Sequence, residues 1–293
     1  MNPLKVAMLR WYDGNSANHP IQVGTTPIAA AFDGDNMWVL NQGTANVSRV
    51  RASDATTSGV FPTGASPQGI AFDGFHMWVS IGGAFGGGNV NKIRTRDGGS
   101  VGMFPVGLQP RGVAFDGTFI WVACAGDGNV YKLRADSGAA AGTFFVNGQP
   151  MGIAFDGMNV WVTSMVTNTL TKLDGMSGAV LNVIAAGPGP AGVAYDGASV
   201  WVANSANASV SKFRASDGMF QGTFSVGANP QQVASDGDYM WVSNMGSNTV
   251  SKLRASDGSL VWTYPTGAAP VGLAFDGAHM WVTNSGGASA MKR

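Results

Sequence analysis

Along the chain, short runs that alternate apolar and polar residues are broken every few positions by Gly, Asp, Asn or Ser. Alternation of period two marks strands with one buried face, and the breaking residues mark tight turns. The runs themselves recur. A Trp followed by Val stands at Trp38, Trp78, Trp121, Trp161, Trp201, Trp241 and Trp281, at spacings of 40, 43, 40, 40, 40 and 40 residues. An Asp-Gly pair begins five residues before each Trp, from Asp33 to Asp276, and a Pro precedes each pair, from Pro27 to Pro270.

Each unit divides into four strand-like segments, of the types Pro-x-Gly-Val-Ala-Phe, Met-Trp-Val-x-Asn, Val-Ser-Lys-Leu-Arg and Gly-Thr-Phe-x-Val. Asp-Gly joins the first two and Ser-Asp-Gly or a variant joins the last two, both suited to hairpins because Gly tolerates positive φ. One four-stranded antiparallel sheet cannot bury its own Trp and Phe. Seven arranged radially cover one another's faces. The pattern therefore predicts an all-β fold, a seven-bladed β-propeller in a single domain spanning 1–293. The chain ends in the third segment of the Trp281 unit, whereas Val6 to Gly14 matches a third strand with its turn and His19 to Val23 a fourth strand. The last blade is thus expected to be shared by 1–23 and 270–293, with both termini closing the ring.

Composition narrows the chemistry. Only 12% of the 293 residues are charged, and the net charge of +0 provides no field to attract nucleic acid or anionic lipid. All seventeen acids are Asp, so few helices are expected and no Glu is present to act as acid or base. The single Cys124 excludes an intramolecular disulfide, no run is long enough for a membrane-spanning helix, and the first residues lack the apolar stretch of a secretory signal.

On Val-Gly-x-x-Pro-x-Gly-Val-Ala-Phe-Asp-Gly, and on Trp-Val-Thr-Asn from Trp281 to Asn284 where the family has Tyr-Val-Thr-Asn, the chain resembles the bacterial YVTN and NHL-repeat propellers. More distantly it resembles the streptogramin B lyases. The resemblance covers nearly the whole chain and implies the propeller fold and an extracellular or periplasmic location, while for activity the families include enzymes, signalling modules and binding proteins alike. Lyases of that type use His and Glu around a divalent metal. Here Glu is absent, and His19, His76 and His279 are scattered over the units, so no lyase residue carries over, no metal ligand is assigned and no cofactor is expected.

Residues identical in every unit read first as demands of blade geometry. The seven Trp read as packing between sheets. The seven Asp read as turn formers, the alternative being oxygen ligands of a cation in the channel. The Lys-Leu-Arg motif, as at Lys252 and Arg254, reads as the solvated side of an outer strand. Positions that vary on a fixed scaffold say more. The fourth-to-first and second-to-third connections open on one face, where propellers usually bind. There the residue after each Pro is Ile28, Gln68, Arg111, Met151, Ala191, Gln231 or Val271, and Arg111 is the only charge among them. With Gln109, Gln149 and Asn229 nearby, Gln68, Arg111 and Gln231 make a candidate polar mouth whose one cationic donor favours anions. Solvated loop polarity is the competing account.

The only insertion falls on the same face, between Ile81 and Asn89, and places Phe85 in a Gly-rich loop as a candidate aromatic contact. This loop lacks the Lys-Ser/Thr ending of a phosphate-binding loop. Cys124 reads as a small buried thiol in preference to a nucleophile. Asn46-Val-Ser and Asn207-Ala-Ser are sequons of low specificity. Three functions compete on this evidence. The first is a non-enzymatic module binding a protein, small molecule or glycan at the channel mouth. The second is a self-associating structural element, favoured by the near-zero net charge. The third, ranked last, is a metal-assisted enzyme built from Asp and His.

Overall fold

The computed structural model describes residues 20–82 and 87–293, and the assignments of Val6 to Gly14, His19 and Phe85 lie outside the described residues. Among the described residues, twenty-eight strands form seven separate four-stranded antiparallel sheets, arranged in a ring as the repeat predicts. In the fifth blade, for example, Pro190–Tyr195, Ser199–Asn204, Ser209–Arg214 and Phe220–Ser225 pair in chain order from the channel outward. Among the described residues there is no helix, and hence none long and apolar enough to cross a membrane.

The Asp-Gly hairpin explains itself chemically. The Asp196 Oδ1 accepts the backbone N–H groups of Ala198 at 2.8 Å and Ser199 at 2.6 Å. Gly197 takes φ +101°, which a residue with a Cβ resists. The second carboxylate oxygen of Asp196 accepts the indole N–H of Trp201 at 2.7 Å. All seven units repeat this bond at 2.7 Å, so each Asp sets its turn and satisfies a Trp that is otherwise buried. These bonds bear out the turn reading of the carboxylates.

The core lies between blades. The cluster around Trp121 of the third blade is completed by Ile153, Val160, Val162 and Leu173 of the fourth, and each blade packs on the next in this way. Within a blade, the outer-strand aromatic sits beside its Trp, as in Trp201 with Phe224 at 5.5 Å between ring centroids. Closure of the ring follows the same rule: Trp281 packs on Met37, Val39 and Val50 of the first blade. The closing sheet is built from both ends of the chain. Ile21–Gln22 forms its outer strand, paired with Ser289–Lys292, and Val23 extends the seam by donating to the Ala288 carbonyl at 3.1 Å.

One expectation fails. The third-strand Lys is not solvated: Lys92, Lys132, Lys172 and Lys212 are buried, and Lys252 is half-buried with its Nζ 4.6 Å from the Trp241 ring centroid. The Lys172 Nζ lies 5.1 Å from the Trp161 ring centroid and donates to the carbonyls of Ala215 at 2.8 Å and Ser216 at 3.0 Å, in the outer turn of the next blade. Lys92, Lys132 and Lys212 make the same crossing, and Arg49 makes it from the first blade. Lys292 latches the seventh blade to the Ala52 carbonyl of the first. The Arg two residues on shares the strand face but stands at its exposed end, where Arg214, for instance, pairs with Asp217 at 2.7 Å. Neighbouring carbonyls and a Trp face thus replace water around the buried ammonium.

Candidate functional site

Each inner strand starts at its Pro, and four show a register shift between Pro and the residue three on. In the first, second and sixth blades the shift is one residue shorter. Ile28, Gln68, Arg111, Met151, Ala191, Gln231 and Val271, the seven residues after Pro, all line one cavity of about 260 Å³ at the channel mouth. Further along the same strands Ile70, Val113, Ile153, Val193 and Leu273 give the cavity an aliphatic wall. The inner strands approach closely because Gly fills most of the next positions. A Cβ on Gly192 would stand 2.6 Å from the Gln231 carbonyl oxygen and 2.7 Å from Gln232 Cα.

Arg111 is held from two sides. Its Nη1 donates to Gln68 Oε1 at 2.7 Å, across the seam between the second and third blades. Its backbone carbonyl accepts the Ser80 hydroxyl at 2.6 Å, and that hydroxyl in turn accepts the Gly69 N–H at 2.9 Å. Ser80 therefore couples the strand bearing Gln68 to the strand bearing Arg111. Across the mouth, Gln231 Nε2 donates to Asn229 Oδ1 at 2.6 Å, which fixes the amide against the rim.

Of the sequence candidates, the structure brings Gln68, Arg111 and Gln231 together on the cavity, with Asn229 bracing from behind. Gln109 and Gln149 stand exposed on the rim, and their carbonyls accept N–H groups of Ala125 and Met165 from the adjacent loops, both at 3.0 Å. Those bonds tie the two loop sets together on one face, as the strand order requires. Gln42 and Gln232 also line the cavity and were missed. Gln42 belongs to a second-to-third loop, so the rule of the residue after Pro does not reach it. Gln232 was visible as the one polar side chain where five units have Gly, at Gly69, Gly112, Gly152, Gly192 and Gly272.

The remaining reactive groups are accounted for elsewhere. Cys124 is buried, and burial with the neighbouring Asp127 charge pushes its thiol up to about 12, far from a thiolate at neutral pH. The imidazoles of His76 and His279 sit beside Asp73 and Asp276, at Nδ1 to Oδ2 distances of 3.4 and 3.8 Å, on the Asp-Gly turns of different blades. No three His, Cys or Asp side chains converge as a metal site among the described residues. Asn207 is exposed on its loop, while Asn46 accepts a hydrogen bond from Asn41 at 2.8 Å.

No family model and no curated protein matches the chain, but solved structures do. It is similar to a structure of Kuenenia stuttgartiensis hydrazine synthase, with a TM-score of 0.80 and 18% identity over 92% of this chain and 97% of that one. A streptogramin B lyase structure gives a TM-score of 0.78 and 14% identity, covering 94% of this chain and 96% of the other. A catalytically inactive virginiamycin B lyase from Staphylococcus aureus, solved with quinupristin, gives 0.78 and 18% identity over 94% and 97%. At such identities the likeness is one of fold.

Proposed function

We propose that the protein is a non-enzymatic binding propeller whose ligand or partner docks at the channel mouth. The observation that carries this reading is the pair Gln68–Arg111, a charged donor held in place by its neighbour on a concave site lined by aliphatic side chains and by Gln42, Gln231 and Gln232. Convergent polar groups on an apolar wall are what a binding pocket needs. The described residues offer no assembled acid, base and nucleophile beside them. The test is a thermal-shift panel of small acids, sugars and peptides on the wild type and on Met151→Trp, which fills the mouth. A compound that raises the melting temperature of the wild type and not of the variant supports the reading. A panel in which every shift survives Met151→Trp contradicts it.

A second reading, self-association, rests on the outer strands. In Leu260–Pro265 the side chains of Leu260, Val261 and Trp262 are exposed, Trp262 by 61%, on an uncharged sheet edge. Light scattering of the wild type and Trp262→Arg tests it: loss of an oligomer in the variant supports assembly, and a monomer in both removes it.

A further inference from the structure

We infer that the channel mouth is selective for an aliphatic carboxylate, with the carboxylate on Arg111 and the carbon chain running along the channel wall. The inference rests on the binding reading above and names its ligand class.

Three features lead to it. First, Arg111 is the one charged residue among the described residues lining the cavity, so the lining carries an uncompensated positive charge. Other arginines differ: Arg51, Arg94, Arg134, Arg214 and Arg254 each face an Asp of their own turn. A partly buried cation without a counter-ion is costly, and a monoanion relieves that cost. Second, one edge of the guanidinium is unspent. Nη1 is bound to Gln68, whereas Nε is buried and meets no acceptor. With Nε shielded from solvent, Nη2 is the nitrogen left to donate to a carboxylate oxygen in the cavity. Third, the lining beside the guanidinium includes an aliphatic stretch. Met151, Val113, Ile153 and Ile70 offer a chain of methylenes an apolar wall, while Gln42, Gln231 and Gln232 share the rest of the cavity. At about 260 Å³ the cavity is on the scale of a small ligand such as a short acid.

Ser80 is the positioning residue of this site. It touches no ligand, yet its bond to the Arg111 carbonyl fixes the strand from which the guanidinium projects.

The experiment is calorimetric titration of the intact protein with sodium hexanoate and, separately, with 1-hexanol, at low ionic strength. Hexanoate is expected to bind at least tenfold more tightly than hexanol and to weaken as salt is added. Arg111→Gln, which keeps a polar side chain toward Gln68, is expected to lower hexanoate affinity at least tenfold and leave hexanol unchanged. Retention of hexanoate affinity in Arg111→Gln overturns the inference. So does hexanol binding as well as hexanoate, although loss of both in Met151→Trp then leaves the channel-mouth reading standing. Silence from both probes also overturns it, and the thermal-shift panel decides the broader reading separately. A tetrapeptide ending in leucine, as free acid and as amide, separates the sources of the group. Tighter binding of the acid peptide than of hexanoate assigns the carboxylate to a chain terminus, and the reverse order assigns it to a free small molecule.

Discussion

Trp201 donates its indole N–H to Asp196 across 2.7 Å, and this bond joins the first hairpin of a blade to the packing between blades. One carboxylate serves two roles, since its other oxygen holds the turn amides of Ala198 and Ser199. The ring repeats the arrangement seven times, which makes the blade a rigid mount for residues that vary at the mouth.

Replacing that carboxylate leaves a buried indole N–H and two turn amides without their acceptor. Asp196→Ala is therefore expected to cost about 2 to 3 kcal/mol, at the upper end for an unsatisfied buried donor. Urea denaturation checks it. A loss below about 0.5 kcal/mol would show that the bond contributes little, as for an exposed substitution.

The interblade lysine makes a comparable prediction. Lys172→Met keeps the apolar stem over Trp161 and removes the ammonium from the carbonyls of Ala215 and Ser216. A loss of about 1.5 to 3 kcal/mol is expected for hydrogen bonds from a charged donor. Equal or greater stability of the Met variant would mean that desolvation of the ammonium outweighs its bonds.

At the channel wall, Gly192→Ala drives a Cβ to within 2.6 Å of the Gln231 carbonyl oxygen. Backbone cannot move aside as a flexible side chain does, so a loss of about 1 to 3 kcal/mol is expected. Because the strain displaces the strand bearing Gln231, ligand affinity at the mouth should fall as well. Equilibrium unfolding and calorimetry on one sample measure both.

The turn carboxylates also set a pH dependence. Burial works to raise Asp156 and Asp276, but the indole and turn-amide bonds outweigh it and hold both below the ordinary value of 3.8. A carboxylate depressed in the folded state supplies stability that is complete above its unfolded pKa and is lost as pH falls through the folded one. The urea midpoint should stay level from neutral pH to about pH 5 and decline below about pH 4. A rise in stability on acidification through that range would contradict the assignment.

The blades were legible because every unit repeats the same local instructions, from Pro at the inner strand to Asp-Gly and Trp. The mouth was legible in part, because Gln68, Arg111 and Gln231 vary on a fixed scaffold. Their mutual contacts were not, since Arg111 meets Gln68 over 43 residues of sequence. Gln109 and Gln149 were grouped with them by proximity to Pro, yet the backbone at that position is spent on the neighbouring loop and the side chain faces solvent. The buried lysines were misread for a related reason. The carbonyls that satisfy Lys172 belong to the next blade, and no pattern within one strand announces them.

The most direct test of the channel mouth as a binding site is backbone amide NMR of the labelled protein during titration with sodium hexanoate. The account predicts saturable shifts centred on Gln68, Arg111, Met151 and Gln231, absent in Arg111→Gln. Shifts confined to the Asp-Gly turns or the outer strands, or no saturable shift at millimolar hexanoate, would contradict it.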